Sequence, residues 1–166
     1  FLRYEHGEIR NKDIRDVECK NNTAQNLVPQ VIAATPEEMR PLLELVAKEG
    51  YTRVDINMGC SFPLQMRKRH GAGLLPYPDI VAALMTEVAK HPEFSFSLKM
   101  RLGCNSKDEW KELISVLNDT PLRHITMHPR LGMEQYKKPV DVDAFAEFYT
   151  ACKHPVIYNG DINTLA

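Results

Sequence analysis

Cys60 is the residue in this chain with the most to offer chemically. It follows Gly59 at the end of the run Asp55-Ile56-Asn57-Met58 and precedes Ser61-Phe62-Pro63. A thiol is protonated at neutral pH and can serve as a general acid, although a cysteine in such a place is as often structural. Lys99 lies in Ser95-Phe96-Ser97-Leu98-Lys99-Met100-Arg101, where strand alternation puts residues 97, 99 and 101 on one face. An inward lysine partners an anionic ligand, or charge developing on an electron-accepting ring; its bland alternative is a structural ion pair. His128, in Ile125-Thr126-Met127-His128-Pro129-Arg130, reads equally as a ligand donor, an acid or base, or a core histidine satisfied by a backbone carbonyl. Asn159-Gly160-Asp161 reads on its own as a turn leaving a strand. With Gln30, Asn57, Arg101 and Arg130 added, each of five apolar runs carries a polar residue within it or at its end. Burying Lys or Asn without a partner costs roughly several kcal/mol, so the recurrence favours one shared polar site.

Residues 60–76 form a long connection carrying Arg67, Lys68, Arg69 and His70, then Gly71-Ala72-Gly73. A flexible basic segment beside a thiol suits an anionic substrate such as a polynucleotide; the alternative is a solvated charge run.

The elements that must position these residues follow from periodicity. Strands are predicted over residues 28–34, 53–59, 94–101, 124–128 and 155–159, alternating with helices, as in βα units around a parallel sheet. Thr35-Pro36-Glu37-Glu38 supplies an N-cap, a first-turn proline and a reciprocal carboxylate, ahead of the stripe Met39, Leu42, Leu43, Val46 and Ala47. Pro41 is expected to delay the regular helix by a few residues. Further helices are predicted over 78–90, 107–117 and 140–152. Strands this apolar are buried on both faces, as in a doubly wound sheet or an eight-stranded barrel, and in either fold the site lies at the strand C-termini.

The 166 residues, 43% hydrophobic and 26% charged, are one ordinary globular domain. Charges of 21 basic against 22 acidic give no overall nucleic-acid signature and leave a local basic patch open. Cysteines 19, 60, 104 and 152 show no zinc or C-x-x-C spacing, so no metal site is expected and the thiols read as reduced, with Cys19, Cys104 and Cys152 structural. No long apolar stretch or leader-like segment is present in the sequence, which points to a soluble, cytoplasmic protein with no membrane contact. The chain opens without Met and stops at Asn163-Thr164-Leu165-Ala166 where a helix begins, so it reads as a fragment.

Asp55-Ile56-Asn57-Met58-Gly59-Cys60, Gly71-Ala72-Gly73-Leu74-Leu75, Lys99-Met100-Arg101-Leu102-Gly103, Thr126-Met127-His128-Pro129-Arg130 and Asn159-Gly160-Asp161-Ile162 occur in one register. In order and spacing they resemble the tRNA dihydrouridine synthase family, over nearly the whole chain. The resemblance implies part of a (β/α)8 TIM barrel, about five consecutive βα units. The first strand, the last strands and the C-terminal helical domain that grips tRNA would be absent. It implies FMN as cofactor, NADPH as reductant, tRNA as substrate, no stable protein partner, and reduction of the C5=C6 bond of uridine. Position by position, Gln30, Lys99, His128 and Asn159 match residues that hold the isoalloxazine or its ribityl chain, with Gly160 and Asp161 beside them. Asn57 and Arg101 match residues near the uracil, and Cys60 matches the general acid. Hydride addition at C6 leaves an enolate that takes its proton at C5 from the opposite face of the base, the step assigned to Cys60. Lys99 would stabilise charge on the flavin and Arg101 charge on the enolate, and the uridine must be turned out of the tRNA fold. Where the family often has proline after the cysteine, Ser61 and Phe62 intervene before Pro63. Rival readings are a flavin barrel acting on a small molecule, of the dihydroorotate dehydrogenase or ene-reductase type, an aldolase-like barrel using Lys99 as a Schiff base, and a non-catalytic RNA-binding relic.

Overall fold

The computed structural model describes residues 1–23 and 26–164. Strand β1 (Leu2–Glu5) turns through His6 and Gly7, both at positive φ, into the antiparallel β2 (Glu8–Ile9). It also pairs in parallel with β3 (Gln30–Ile32), and β4 (Arg53–Met58), β5 (Ser95–Gly103), β6 (Leu122–Leu131) and β7 (Val156–Tyr158) follow in parallel. The order is β2-β1-β3-β4-β5-β6-β7, so after the hairpin the strands lie side by side in chain order. The helices are α1 (Asn11–Val17), α2 (Pro36–Lys48), the short α3 (Pro63–Arg67), α4 (Pro78–Val88), α5 (Glu109–Asp119) and α6 (Val142–Ala151). Helix α2 packs on α4, α4 on α5 and α5 on α6. A doubly wound sheet reverses its strand order and alternates its helices between faces; this sheet does neither, and the winding is that of part of a TIM barrel.

The sheet carries its apolar residues toward the helices: Val31, Ile56, Leu98 and Ile125 are fully buried, together with Leu42 of α2, Leu84 of α4 and Leu113 of α5. Thr35 caps α2 as expected, Oγ1 accepting from the Glu38 N–H at 3.3 Å. The Glu38 carboxylate reaches back one residue further than a simple capping box, to the Ala34 N–H at 2.7 Å. Pro41 does not delay the helix. The N–H it lacks would have met the carbonyl of Glu37, an exposed first-turn residue that water can serve. Arg40 then clamps α2 to α4, Nε and Nη2 donating to Glu87 at 2.7 and 3.1 Å, while Lys90 donates to the same buried carboxylate at 2.9 Å.

Two expectations need correcting. The sheet holds a sixth parallel strand, β1, which the five-strand reading passed over because Leu2-Arg3-Tyr4-Glu5 is short and only Leu2 is buried. The connection after Cys60 is not a flexible loop. It folds into α3 and a 3-10 turn, Gly71–Leu74, with residues 70–75 buried. Its basic run is correspondingly divided. Lys68 donates to Glu5 at 2.8 Å, buried His70 meets Glu38 at 2.8 Å, Arg69 lies over the Tyr77 ring at 4.4 Å, and Arg67 is exposed. Of the other cysteines, Cys104 is buried and Cys152 half-buried, whereas Cys19 is exposed with its thiol donating to the Glu49 carbonyl at 2.7 Å. Among the described residues no helix is long and apolar enough to cross a membrane, and no cluster of His, Cys, Asp and Glu could hold a metal ion.

Candidate active site

Parallel register stacks the polar residues in layers. Gln30 pairs with Asp55 and Asp55 with Ser97; one layer on, Asn57 pairs with Lys99 and Lys99 with Thr126; the next sets Arg101 against His128. Four side chains of the first two layers, Ser97, Asp55, Gln30 and Asn57, form one continuous hydrogen-bonded chain. Ser97 Oγ donates to Asp55 Oδ1 at 2.6 Å, and Gln30 Nε2 donates to Asp55 Oδ2 at 2.7 Å. Asn57 Nδ2 donates to Gln30 Oε1 at 2.7 Å. Asn57 Oδ1 in turn accepts from the backbone N–H groups of Gly59 at 3.1 Å and Cys60 at 2.9 Å. The Cys60 carbonyl accepts from Ala72 at 3.0 Å, so the buried 3-10 turn closes on the residue from the other side. Gly71 permits that approach: it sits at φ +58°, and a Cβ there would lie 2.6 Å from Cys60 Cβ.

Cys60 opens on a cavity of about 470 Å³ whose wall includes Gln30, Asn57, Lys99, Arg101, Phe62 and Tyr136. Lys99 is half-buried, and among the described residues no hydrogen bond or ion pair engages its ammonium. Burial pushes its pKa down, the Arg101 cation adds to this, and the Asp55 carboxylate opposes it. Arg101 is 2% exposed and spends its donors on the protein: Nε on the Gly59 carbonyl at 3.0 Å, and Nη1 on the carbonyls of Leu131 at 3.0 Å and Gln135 at 2.8 Å. It therefore ties the strand-end turn at Gly59 to the segment after β6, and the Tyr136 ring lies 5.3 Å from its guanidinium carbon.

The residues expected on β6 and β7 form a second group beside Tyr136. The His128 pKa is pushed down to about 4 by burial, then by the cations Arg101, Lys99 and Arg130. The imidazole is neutral, and because arginine only donates, its Nε2 accepts from Arg130 Nη1 at 3.0 Å. Arg130 also pairs with Asp161. Gly160, at φ +138°, brings the backbone so close that a Cβ would fall 2.8 Å from His128 Cδ2. Asn159 donates its backbone N–H to Met127 at 3.0 Å. His128, Asn159, Gly160 and Asp161 do not line the cavity that holds Cys60; the exposed Tyr136 ring lies near both groups, 5.7 Å from His128 and 5.3 Å from the Arg101 guanidinium carbon.

A family model described as dihydrouridine synthase matches residues 6–166. The chain belongs to the dihydrouridine synthase family. Among curated proteins it is 30% identical over 134 residues to tRNA-dihydrouridine synthase B of Shigella flexneri and, equally, to that of Escherichia coli (strain K12). Each match covers 80% of this chain and 42% of the relative. A probable tRNA-dihydrouridine synthase of Staphylococcus aureus (strain COL) is 31% identical over 130 residues, covering 78% of this chain and 38% of the relative. The chain thus spans about two-fifths of the length of the curated relatives it matches.

In this member of the dihydrouridine synthase family, Cys60, Gln30, Asn57, Lys99 and Arg101 are brought to one cavity. Asp55 and Ser97, which join Gln30 in the hydrogen-bonded chain without lining the cavity, were given no role by the sequence reading, although each sits two positions before a residue that was singled out and alternation had already set Ser97 on the face of Lys99. Tyr136, on the cavity wall, was also missed; it lies in an irregular segment with no periodicity to mark it.

Proposed function

We propose that the full-length protein is an FMN-dependent tRNA-dihydrouridine synthase that reduces the C5=C6 bond of a uridine in tRNA with electrons from NADPH. The observation that carries this reading is the shared cavity of Cys60 and Lys99, a thiol and an otherwise unpartnered half-buried cation, in a chain of this family. The residues fit the cofactor, since a cation with no acceptor among the described residues, beside an apolar-and-polar wall, suits an electron-accepting ring. Lys99 and Gln30 would hold the ring, and FMN bound there supplies the hydride. His128, Asn159, Gly160 and Asp161 would hold the more distant part of the cofactor.

The chain's own work is the proton and its placement. Cys60 donates from Sγ to C5 of the base, with its backbone held by Asn57 and Ala72. Lys99 balances negative charge in the cavity. Arg101 contributes its buried positive charge near the uracil carbonyl while keeping the turn at Gly59 in place. Phe62 and Tyr136, exposed at the rim, offer faces on which an extruded base can stack. The remaining barrel strands and a tRNA-gripping helical domain belong to parts of the protein outside this chain. Expression of the full-length parent tests the reading: it should carry flavin absorbance and restore dihydrouridine to tRNA from a deletion strain. Turnover of dihydroorotate or an enone with none on unmodified tRNA would replace it with a small-molecule flavin barrel.

A further inference from the structure

We propose that Asp55 is a positioning residue that sets the direction of the side-chain amides of Gln30 and Asn57 and, through them, the seat of Cys60. A primary amide has nearly the same shape in either orientation, so packing alone does not decide which end is oxygen. An ionised carboxylate does decide, because it only accepts. Asp55 receives Ser97 Oγ on one oxygen and Gln30 Nε2 on the other, at 2.6 and 2.7 Å. With its nitrogen committed, Gln30 must turn its oxygen to Asn57, which must therefore present nitrogen to Gln30 and oxygen to the N–H groups of Gly59 and Cys60. The polarity of the chain is fixed by the Asp55 carboxylate, third residue of β4, at one end and agrees with the donor-only N–H groups of Gly59 and Cys60 at the other, with the Gln30 and Asn57 side chains between them. Reversing either amide would leave carbonyl oxygen facing carboxylate at one end or N–H facing N–H at the other, in a region where Asn57 is buried.

The inference concerns where Cys60 sits, and its catalytic arm rests on Cys60 being the proton donor. The test compares wild type, Asp55→Ala and Asp55→Asn in the full-length parent, following iodoacetamide alkylation of Cys60 by peptide mapping and dihydrouridine formation in tRNA. Asp55→Ala should alkylate Cys60 about tenfold faster, as the strand-end backbone loses its anchored acceptor. Its kcat should fall about 10- to 100-fold with KM for tRNA nearly unchanged. Asp55→Asn should rescue both, since its carbonyl oxygen can serve Gln30 while its nitrogen donates to Ser97 Oγ, preserving the direction of the chain. Should Asp55→Ala not fold, Gln30→Met interrupts the same chain one link closer to Cys60 and carries the same expectation. Alkylation of Cys60 at the wild-type rate in the interrupted variants, or an Asn variant as perturbed as Ala, overturns the proposal. A wild-type protein that forms no dihydrouridine would defeat the functional reading instead, while the alkylation rates still decide the role of Asp55.

Discussion

At the scale of single residues, His128 is the titratable group whose environment departs most usefully from water. Its pKa of about 4, against an ordinary 6.5, means that the unfolded chain takes up a proton near pH 6.5 that the native fold refuses until about pH 4. Stability from this residue is complete above pH 6.5 and is lost as the pH falls through that window, by roughly 3 kcal/mol in all, of which roughly 2 go between pH 7 and pH 5. Urea denaturation of the parent protein at pH 7 and pH 5 should show the loss, and His128→Gln, which still offers Arg130 an acceptor, should remove much of this pH dependence. A variant with the same pH slope as wild type would mean that His128 is not the group responsible. None of this was legible in the sequence, where His128 in Met127-His128-Pro129 had three equal readings. The cations that depress it come from β5 and β6, and only the sheet register brings them together.

At the scale of elements, helices α2, α4, α5 and α6 and five of the strands were legible because their periodicity is strong and their ends carry Thr35, Pro36, Gly50 and Pro92, whereas the seven-residue α1 was too short to show a stripe. The segment after Cys60 was not, because residues 61–75 fold by short backbone-bonded turns and close approach and not by a repeating apolar face. Gly71 is the decisive position there. In Gly71→Ala the left-handed backbone and the clash with Cys60 should together cost about 2 kcal/mol or more, visible as a lowered Tm, with Cys60 displaced and turnover reduced. The clamp between α2 and α4 makes an independent prediction. Arg40 and Lys90 hold the Glu87 carboxyl down at about 2, so its contribution is present above pH 4.5 and lost as the pH falls toward 2. Since both partners are half in water, Glu87→Gln should destabilise at pH 7 by only about 2 kcal/mol in urea titration, and by less at pH 3.

At the scale of the whole molecule, six parallel strands in chain order with sequentially packed helices place the polar residues of β3, β4 and β5 around one cavity and hold those of β6 and β7 outside it, near Tyr136. The general location of this site was legible, because apolar strands with polar ends imply it. The division into two groups was not, because Tyr136, which lies near both, sits in an irregular segment. The chain covers about two-fifths of the length of its relatives, and the proposed function is therefore measured in the full-length protein. The central claim is that Cys60 supplies the proton. The direct measurement is dihydrouridine formed per flavin in tRNA from a deletion strain by full-length wild type and Cys60→Ala. Cys60→Ala should retain flavin and tRNA binding while turnover falls about 100-fold or more; a variant with wild-type turnover would remove Cys60 as the proton donor.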